Sequence, residues 1–399
     1  MKFVVLIADG MGDWPVAGLG DRTPLGAAPT PVMDLLARRG MVGLCRTVPP
    51  GMAPGSDVAN MALLGFDPAS HHTGRGPIEA AAQGLEAGDD DLIWRMNLVT
   101  VENFGPDGVM RDYSAGHIGT PEAAALVASL KEAHDSDGFV MHPGVQYRHL
   151  LVQRGAAGSV TADIRPRPPH DILDQPIAPD LEEYARVPAL ARLVAEASAL
   201  LAAMPGNATR ANAVWPWGQG RPLRLPPFAR SFGMQGAVIS AVDLIKGLGR
   251  ASGMEVIDVA GATGLLDTNY AGKVAAALDF LTRHDFVFVH LEGPDECGHG
   301  GDAEQKAEAV RRFDAQVAAP MVEALWEQGA VFLVTCDHLT PIALRTHHAD
   351  PVPFLLSWKG CPAPSGLASF TEASAASTGL LIEPGHTLLR WAMDQVRGA

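Results

Sequence analysis

Five short stretches of this chain carry acidic, imidazole and hydroxyl side chains in spacings suited to holding two divalent cations beside a nucleophile. Three are apolar runs that stop at a charge: KFVVLIADG ends at Asp9, FVFVHLEGPDECGH carries Asp295 and His299, and VFLVTCDH carries Asp337 and His338. Continuous apolar runs of this kind read as buried parallel strands whose carboxyl ends carry chemistry. The other two are PGSD, with Ser56 opening a helix, and THHADPVP, with His347. Together they offer carboxylates, imidazoles and one hydroxyl, a set suited to metal-assisted phosphoryl transfer. Oxygen and imidazole donors without thiolates favour manganese, magnesium or zinc over copper.

Each stretch also has a plainer reading. Asp9 before Gly10 is a common turn pair. Ser56 is expected to cap the helix 56–65, which Gly65 closes. A helix start also concentrates N–H groups and partial positive charge, which suits a serine that attacks phosphorus. A neutral hydroxyl is a poor nucleophile, and a bound cation lowers its pKa. Asp295 and His299 stand four apart, so one helical turn or tight loop brings both to one cation. Asp337 and His338 are neighbours, and neighbours on a strand face opposite ways. They serve one site only if the chain turns there, as the following Leu-Thr-Pro allows. His347 and His348 could equally be surface histidines before a proline turn.

The elements that must position these residues follow an α/β rhythm. A strand is expected at 1–10 and a helix at 30–40, with Thr30 capping and Pro31 at the first helical position. From residue 232 the rhythm resumes: AVISAVDLIKGLG as strand-turn-helix or one long helix, MEVIDV as a strand, KVAAALDFLTRH as a helix, and a long helix from Ala303 to Trp326. The middle changes character, with short strand-like pieces (IWRMNLVTV, MRDYSAGHI, GFVMHPGVQYR, HLLVQRG) around the helix PEAAALVASLKEA. DIRPRPPHDILDQPIAPD and WPWGQGRPLRLPPF, rich in Pro and Gly, are expected to form a crossover or hinge. The reading is a doubly wound, mostly parallel α/β domain (1–84 and 226–399) split by an inserted α+β domain (85–225).

The chain has 399 residues, enough for two domains, with 47% hydrophobic and 19% charged residues. A formal net charge of −15 argues against a nucleic-acid or basic membrane-surface role. It leaves room for an anionic substrate, because bound cations dominate the local field. Cys45, Cys297, Cys336 and Cys361 show no CxxC spacing. Reduced thiols in the cytoplasm are expected rather than disulfides or a cysteine zinc site. The apolar start is too short for a signal peptide, and no run reaches membrane-span length.

In this order the motifs ADGMGD, PGSDVAN, HHTGRGP, AVISAVDLIKGLG, GATGLLDTNYAGK, EGPDECGHGG, CDHLTP and HHADPVP resemble the cofactor-independent phosphoglycerate mutases of archaeal type, in the alkaline phosphatase superfamily. The resemblance runs over nearly the whole chain. It implies two divalent ions, manganese foremost, with magnesium or zinc as alternatives. One is held by Asp9, Ser56, Asp337 and His338, the other by Asp295, His299 and His347. It implies that Ser56 takes the phosphoryl group from 3-phosphoglycerate and returns it to the other hydroxyl of glycerate, with the inserted domain excluding water. The partner is then a small phosphorylated or hydroxylated acid, and the oligomeric state is left open.

The substrate positions match less well. Where archaeal mutases carry an arginine-rich stretch, this chain has Asp112-Tyr113-Ser114-Ala115-Gly116-His117, and Gln235 stands where the family tends to carry lysine. Tyrosine and serine cannot replace bidentate arginine. These features resemble a bacterial branch proposed to act as homoserine kinases, which keeps that activity, or that of a superfamily phosphatase, as an alternative. No GxxxxGK[ST] loop is present. Arg75, Asp112, His117 and Arg148 are the candidate substrate contacts, and Arg111 is a weaker one.

Overall fold

The computed structural model describes residues 1–136 and 138–398. The chain divides into two compact units, Met1–His72 with Arg224–Ala399, and Thr73–Leu223.

The larger unit is built on an eight-stranded sheet. At its centre the Phe3–Ala8 strand lies parallel to Phe286–Leu291 on one side and Val331–Thr335 on the other. Gly236–Ile239 and Glu255–Val256 extend it in parallel beyond Phe286–Leu291. Beyond Val331–Thr335, the Val352–Ser357 strand runs antiparallel to both of its neighbours, and Met41–Cys45 and Leu381–Ile382 complete the sheet. Every residue of the three central strands is buried. Both faces of each strand are therefore covered, which explains why their sequences are continuous apolar runs rather than alternating ones. Helices supply the cover: Tyr270–Leu281 packs on Phe286–Leu291, and Pro31–Arg39 on Val352–Ser357. Burying each large side chain here contributes roughly 1.5–3 kcal/mol. Because the central strands are parallel and in register, their carboxyl ends fall side by side. Ile7 pairs with both His290 and Thr335.

Several expected elements differ in detail. The helix expected from Ala303 to Trp326 runs without a gap to Leu325 but passes through a five-residue π-helical turn at Asp314–Ala318. There the Asp314 carboxylate accepts the Met33 and Val32 amides at the start of another helix. MEVIDV gives only a two-residue strand. AVISAVDLIKGLG follows its strand-turn-helix reading, with the strand Gly236–Ile239 and then the helix Asp243–Ala251.

The smaller unit carries an antiparallel sheet around the long strand Leu92–Glu102. WPWGQG is strand rather than hinge: Ala213–Gly220 pairs with Leu92–Glu102, with a register irregularity between Ile93 and Arg95. Pro216 is accommodated because this strand lies at an edge of the sheet. The first unit boundary falls at residue 72, not 84, because the helix Arg75–Ala82 packs on Leu92–Glu102 and Ala213–Gly220. No helix among the described residues is long and apolar enough to cross a membrane.

Candidate metal centre and nucleophile

The three central strands deliver three acidic residues to one place. Asp9 follows the first strand directly and is anchored by its amide to the Leu291 carbonyl at 2.9 Å. Gly10 then turns with φ +61°, and a Cβ there would stand 2.6 Å from Asp295 Oδ1 and 2.7 Å from its Cα. The Asp-Gly pair is thus a tight turn and a site element at once. Val331–Thr335 ends two residues before Asp337, so the Asp337-His338 pair lies in turned chain and both members face one centre. The His338 amide donates to Asp337 Oδ1 at 2.9 Å, and the Gly10 amide to the same oxygen at 3.0 Å. Asp295 and His299 lie on the helix Gly293–Gly300, with His299 Nε2 3.3 Å from Asp295 Oδ2.

Two donor groups result. Asp9, His290 and Asp337 converge, all wholly buried, and Asp295, His338 and His347 converge beside them. His299 joins the second group, its Nε2 3.0 Å from that of His347. His338 lies between the groups, 3.4 Å from Asp337 Oδ2 and 3.6 Å from Asp9 Oδ1. His347 rather than His348 reaches the centre. His348 packs edge-on against Trp14 at 5.0 Å and lies 3.4 Å from Asp350.

Ser56 is not the helix cap expected from the sequence. Gly55 occupies the cap position, and Ser56 is the first residue of the helix Ser56–Leu63. Its hydroxyl is therefore free of capping and stands 3.2 Å from His338 Nε2. Asn60, one turn on, donates to both the Ser56 carbonyl (2.9 Å) and Asp337 Oδ2 (2.8 Å), tying the helix to the strand-end acid.

The electrostatics differ between the groups. Burial holds the Asp9 carboxyl well above its ordinary range, with the charges of Asp337 and Asp295 adding to it. Burial also pushes His290 down to about 4 and lowers His338, so both imidazoles are neutral, the form that binds metal. Burial opposes ionisation of Asp295 too, but hydrogen bonds from His299 and His347 prevail and hold it well below the usual range. The hydrogen bond to Asp295 raises His299 to about 9. Both Asp9 carboxylate oxygens are buried without a hydrogen-bond partner. Buried carboxylates are normally paired or bound to metal, so the donor set fits a divalent cation.

His290, Asn60, Thr340 and Lys306 were not singled out by sequence. Thr340 donates to Asp295 Oδ1. Lys306 is fully buried, with its ammonium on Asp13 Oδ2 (2.7 Å), the Thr340 carbonyl (2.8 Å) and the Gly12 carbonyl (3.1 Å). It fastens the loop after Asp9 to the loop after His338. The four-residue spacing of Asn60 from Ser56 was a legible signal. The other three become visible only when distant segments meet.

In the smaller unit, Arg75 and Arg95 lie over the Trp217 ring at 5.9 and 5.0 Å, and Arg148 over Tyr147 at 5.7 Å. Arg95 pairs with Glu79 at 2.8 Å, while the Nε atoms of Arg75 and Arg95 are buried without a partner. Asp112 is occupied by its own turn, accepting from the Ser114 amide and hydroxyl and the Gly116 amide. His117 ends that turn at φ +54°. Arg111 is taken up by Glu102 and Asp174.

The family profile of 2,3-bisphosphoglycerate-independent phosphoglycerate mutase matches residues 37–207. A relative bearing that name from Methanothrix thermoacetophila is 46% identical over 399 residues, covering 98% of this chain and 99% of its own. This chain belongs to the 2,3-bisphosphoglycerate-independent phosphoglycerate mutase family. The solved structure of a cofactor-independent phosphoglycerate mutase from Thermoplasma acidophilum superposes with a TM-score of 0.66 at 28% identity, covering 99% of both chains. A Pyrococcus horikoshii protein superposes with a TM-score of 0.82 at 28% identity, covering 100% of this chain and 98% of its own. The fold on which Asp9, Asp295 and Asp337 meet is thus shared with a solved mutase of this family, and divalent-metal binding fits the donor groups found here.

Proposed function

We propose that this chain interconverts 3-phosphoglycerate and 2-phosphoglycerate through a phosphoserine on Ser56, with two divalent cations, manganese foremost. Asp9, Ser56, Asp337 and His338 would hold one cation, and Asp295, His299 and His347 the other. One observation carries the reading: Ser56, freed from capping, presents its hydroxyl 3.2 Å from His338 at the junction of two metal-binding donor groups. Near full-length similarity to relatives named as this mutase supports it.

When bound, such a cation pair supplies charge stabilisation to an in-line displacement and lowers the pKa of a coordinated hydroxyl. The chain's own residues do the rest. Ser56 Oγ attacks phosphorus, the bond to the glycerate 3-oxygen breaks, and the serine proton ends on that oxygen. The first-turn amides of the Ser56 helix face the phosphoryl oxygens. Glycerate then turns, its 2-hydroxyl attacks the phosphoserine, the phosphorus–Oγ bond breaks, and Ser56 regains a proton. Asn60 keeps Ser56 and Asp337 in register through both half-reactions. Arg75, Arg95 and Arg148 are the anion contacts we assign in the smaller unit. Glu79 pairs with Arg95, and planar guanidinium groups suit carboxylate and phosphate. Asp112 and His117 would shape the loop beside that cluster rather than bind the anion.

The test supplies purified protein and Mn²⁺ with 3-phosphoglycerate and no nucleotide, and in parallel with homoserine plus ATP. Formation of 2-phosphoglycerate is expected. ATP-dependent homoserine phosphorylation without mutase activity would overturn the assignment.

A further inference from the structure

His290 lies within the otherwise apolar strand Phe286–Leu291 and is wholly buried. Its Nε2 is 3.0 Å from Asp9 Oδ2, yet neither that nitrogen nor either Asp9 oxygen makes a hydrogen bond. A buried imidazole and carboxylate at this distance would ordinarily be bonded to each other. Close approach without hydrogen-bond alignment is the relation expected between two ligands of one ion. Asp337 completes the set, its oxygen converging with Asp9 and His290.

The other ring nitrogen is accounted for. His290 Nδ1 is 3.2 Å from Ser240 Oγ, and Ser240 also accepts the Val242 amide at 3.0 Å. An Nδ1–H donated to Ser240 leaves the Nε2 lone pair facing the two carboxylates. Metal-bound histidines usually have their second nitrogen held in this way. The Lys273 ammonium fixes the backbone at the same point, donating to the His290 carbonyl at 3.0 Å.

We propose that His290 Nε2 is a protein ligand of the inner cation, together with Asp9 and Asp337, and that Ser240 holds the imidazole in its Nδ1–H tautomer. The inference rests on the two-cation reading above and adds a ligand to it.

Anomalous diffraction from Zn²⁺-loaded crystals of the unmutated protein tests the proposal directly. A zinc peak about 2.0–2.1 Å from His290 Nε2 is expected. Zinc titration of metal-free variants gives an independent reading. Ser240→Ala should weaken the inner site by about 10-fold, and His290→Ala by more than the ~10–100-fold cost of losing a residue that only orients a ligand. An inner zinc peak beyond bonding distance of Nε2 would overturn the proposal, whether or not His290→Ala folds. So would His290→Ala binding zinc as tightly as the parent. Asp9→Asn and Asp295→Ala serve as controls. If they too leave zinc binding unchanged, the two-cation reading itself fails. If they weaken it and His290→Ala does not, only the ligand assignment of His290 fails.

Discussion

The two donor groups sit side by side but solve the problem of buried charge differently. In the outer group a proton on His299 neutralises Asp295, and the imidazole is 37% exposed. That group is balanced and reachable by water. In the inner group Asp9, His290 and Asp337 are sealed from solvent, and the Asp9 oxygens have no donor. An isolated buried carboxylate is costly, and it neutralises by raising its pKa unless a cation compensates it. The contrast teaches that the outer group is compensated as an ordinary ion pair, whereas the Asp9 carboxyl of the inner group has no hydrogen-bond donor among the described residues.

The largest expected effect falls where the groups meet. Ser56→Ala should lower phosphoryl transfer by on the order of 10⁴–10⁶-fold, while titration still finds the outer cation. Trapped parent enzyme should carry phosphate on Ser56 by mass spectrometry. Phosphate on a histidine instead would break the scheme.

Lys306→Met tests whether the loops that carry the groups need their common clamp. Removing the ammonium leaves Asp13 buried beside the Gly12 and Thr340 carbonyls. Breaking a buried pair in this way costs about 3–5 kcal/mol, readable as a lowered denaturation midpoint. A midpoint equal to the parent's would show that the loops hold themselves.

Asp295→Ala should reduce bound cations from two to about one per chain, as a two-metal centre requires. Metal analysis that still finds two would remove Asp295 from the ligand set.

The proton on His299 sharpens the comparison. A cation must displace it, so outer-site affinity should fall by about tenfold for each pH unit below about 9. The imidazoles of His290 and His338, which burial lowers, impose no such competition in that range, so any pH slope at the inner site belongs to the Asp9 carboxyl that burial raises. Titrations at pH 7, 8 and 9 that show equal slopes at both sites would remove the distinction.

A separate stability effect belongs to Glu292, just past the His290 strand, which burial raises to about 8. Its folded pKa exceeds its unfolded one, so the folded state holds the extra proton between about 4.5 and 8. Metal-free protein should therefore lose stability as pH rises through that window. Glu292→Gln should flatten the slope, read from urea midpoints across the range.

Much of this was legible without coordinates. Three apolar runs ending in acid announce parallel strands, because a strand buried on both faces must be apolar throughout and must stop where charge begins. Asp295 and His299 were readable as a pair because the helical repeat carries its own geometry. Ser56 was readable as a helix opener, but not as N1 rather than cap. That distinction depends on whether the serine or Gly55 takes the extended backbone, and so on where the hydroxyl is needed. WPWGQG was misread because Pro and Gly signal a turn locally, whereas an edge position in a sheet tolerates both. His290 was hidden because a lone histidine in an apolar strand has no periodic partner. Local sequence thus determined which residues could carry chemistry and which strands would bear them. Only the tertiary structure decided which of them converge, because parallel register brings Ile7, His290 and Thr335 level across segments nearly the length of the chain apart.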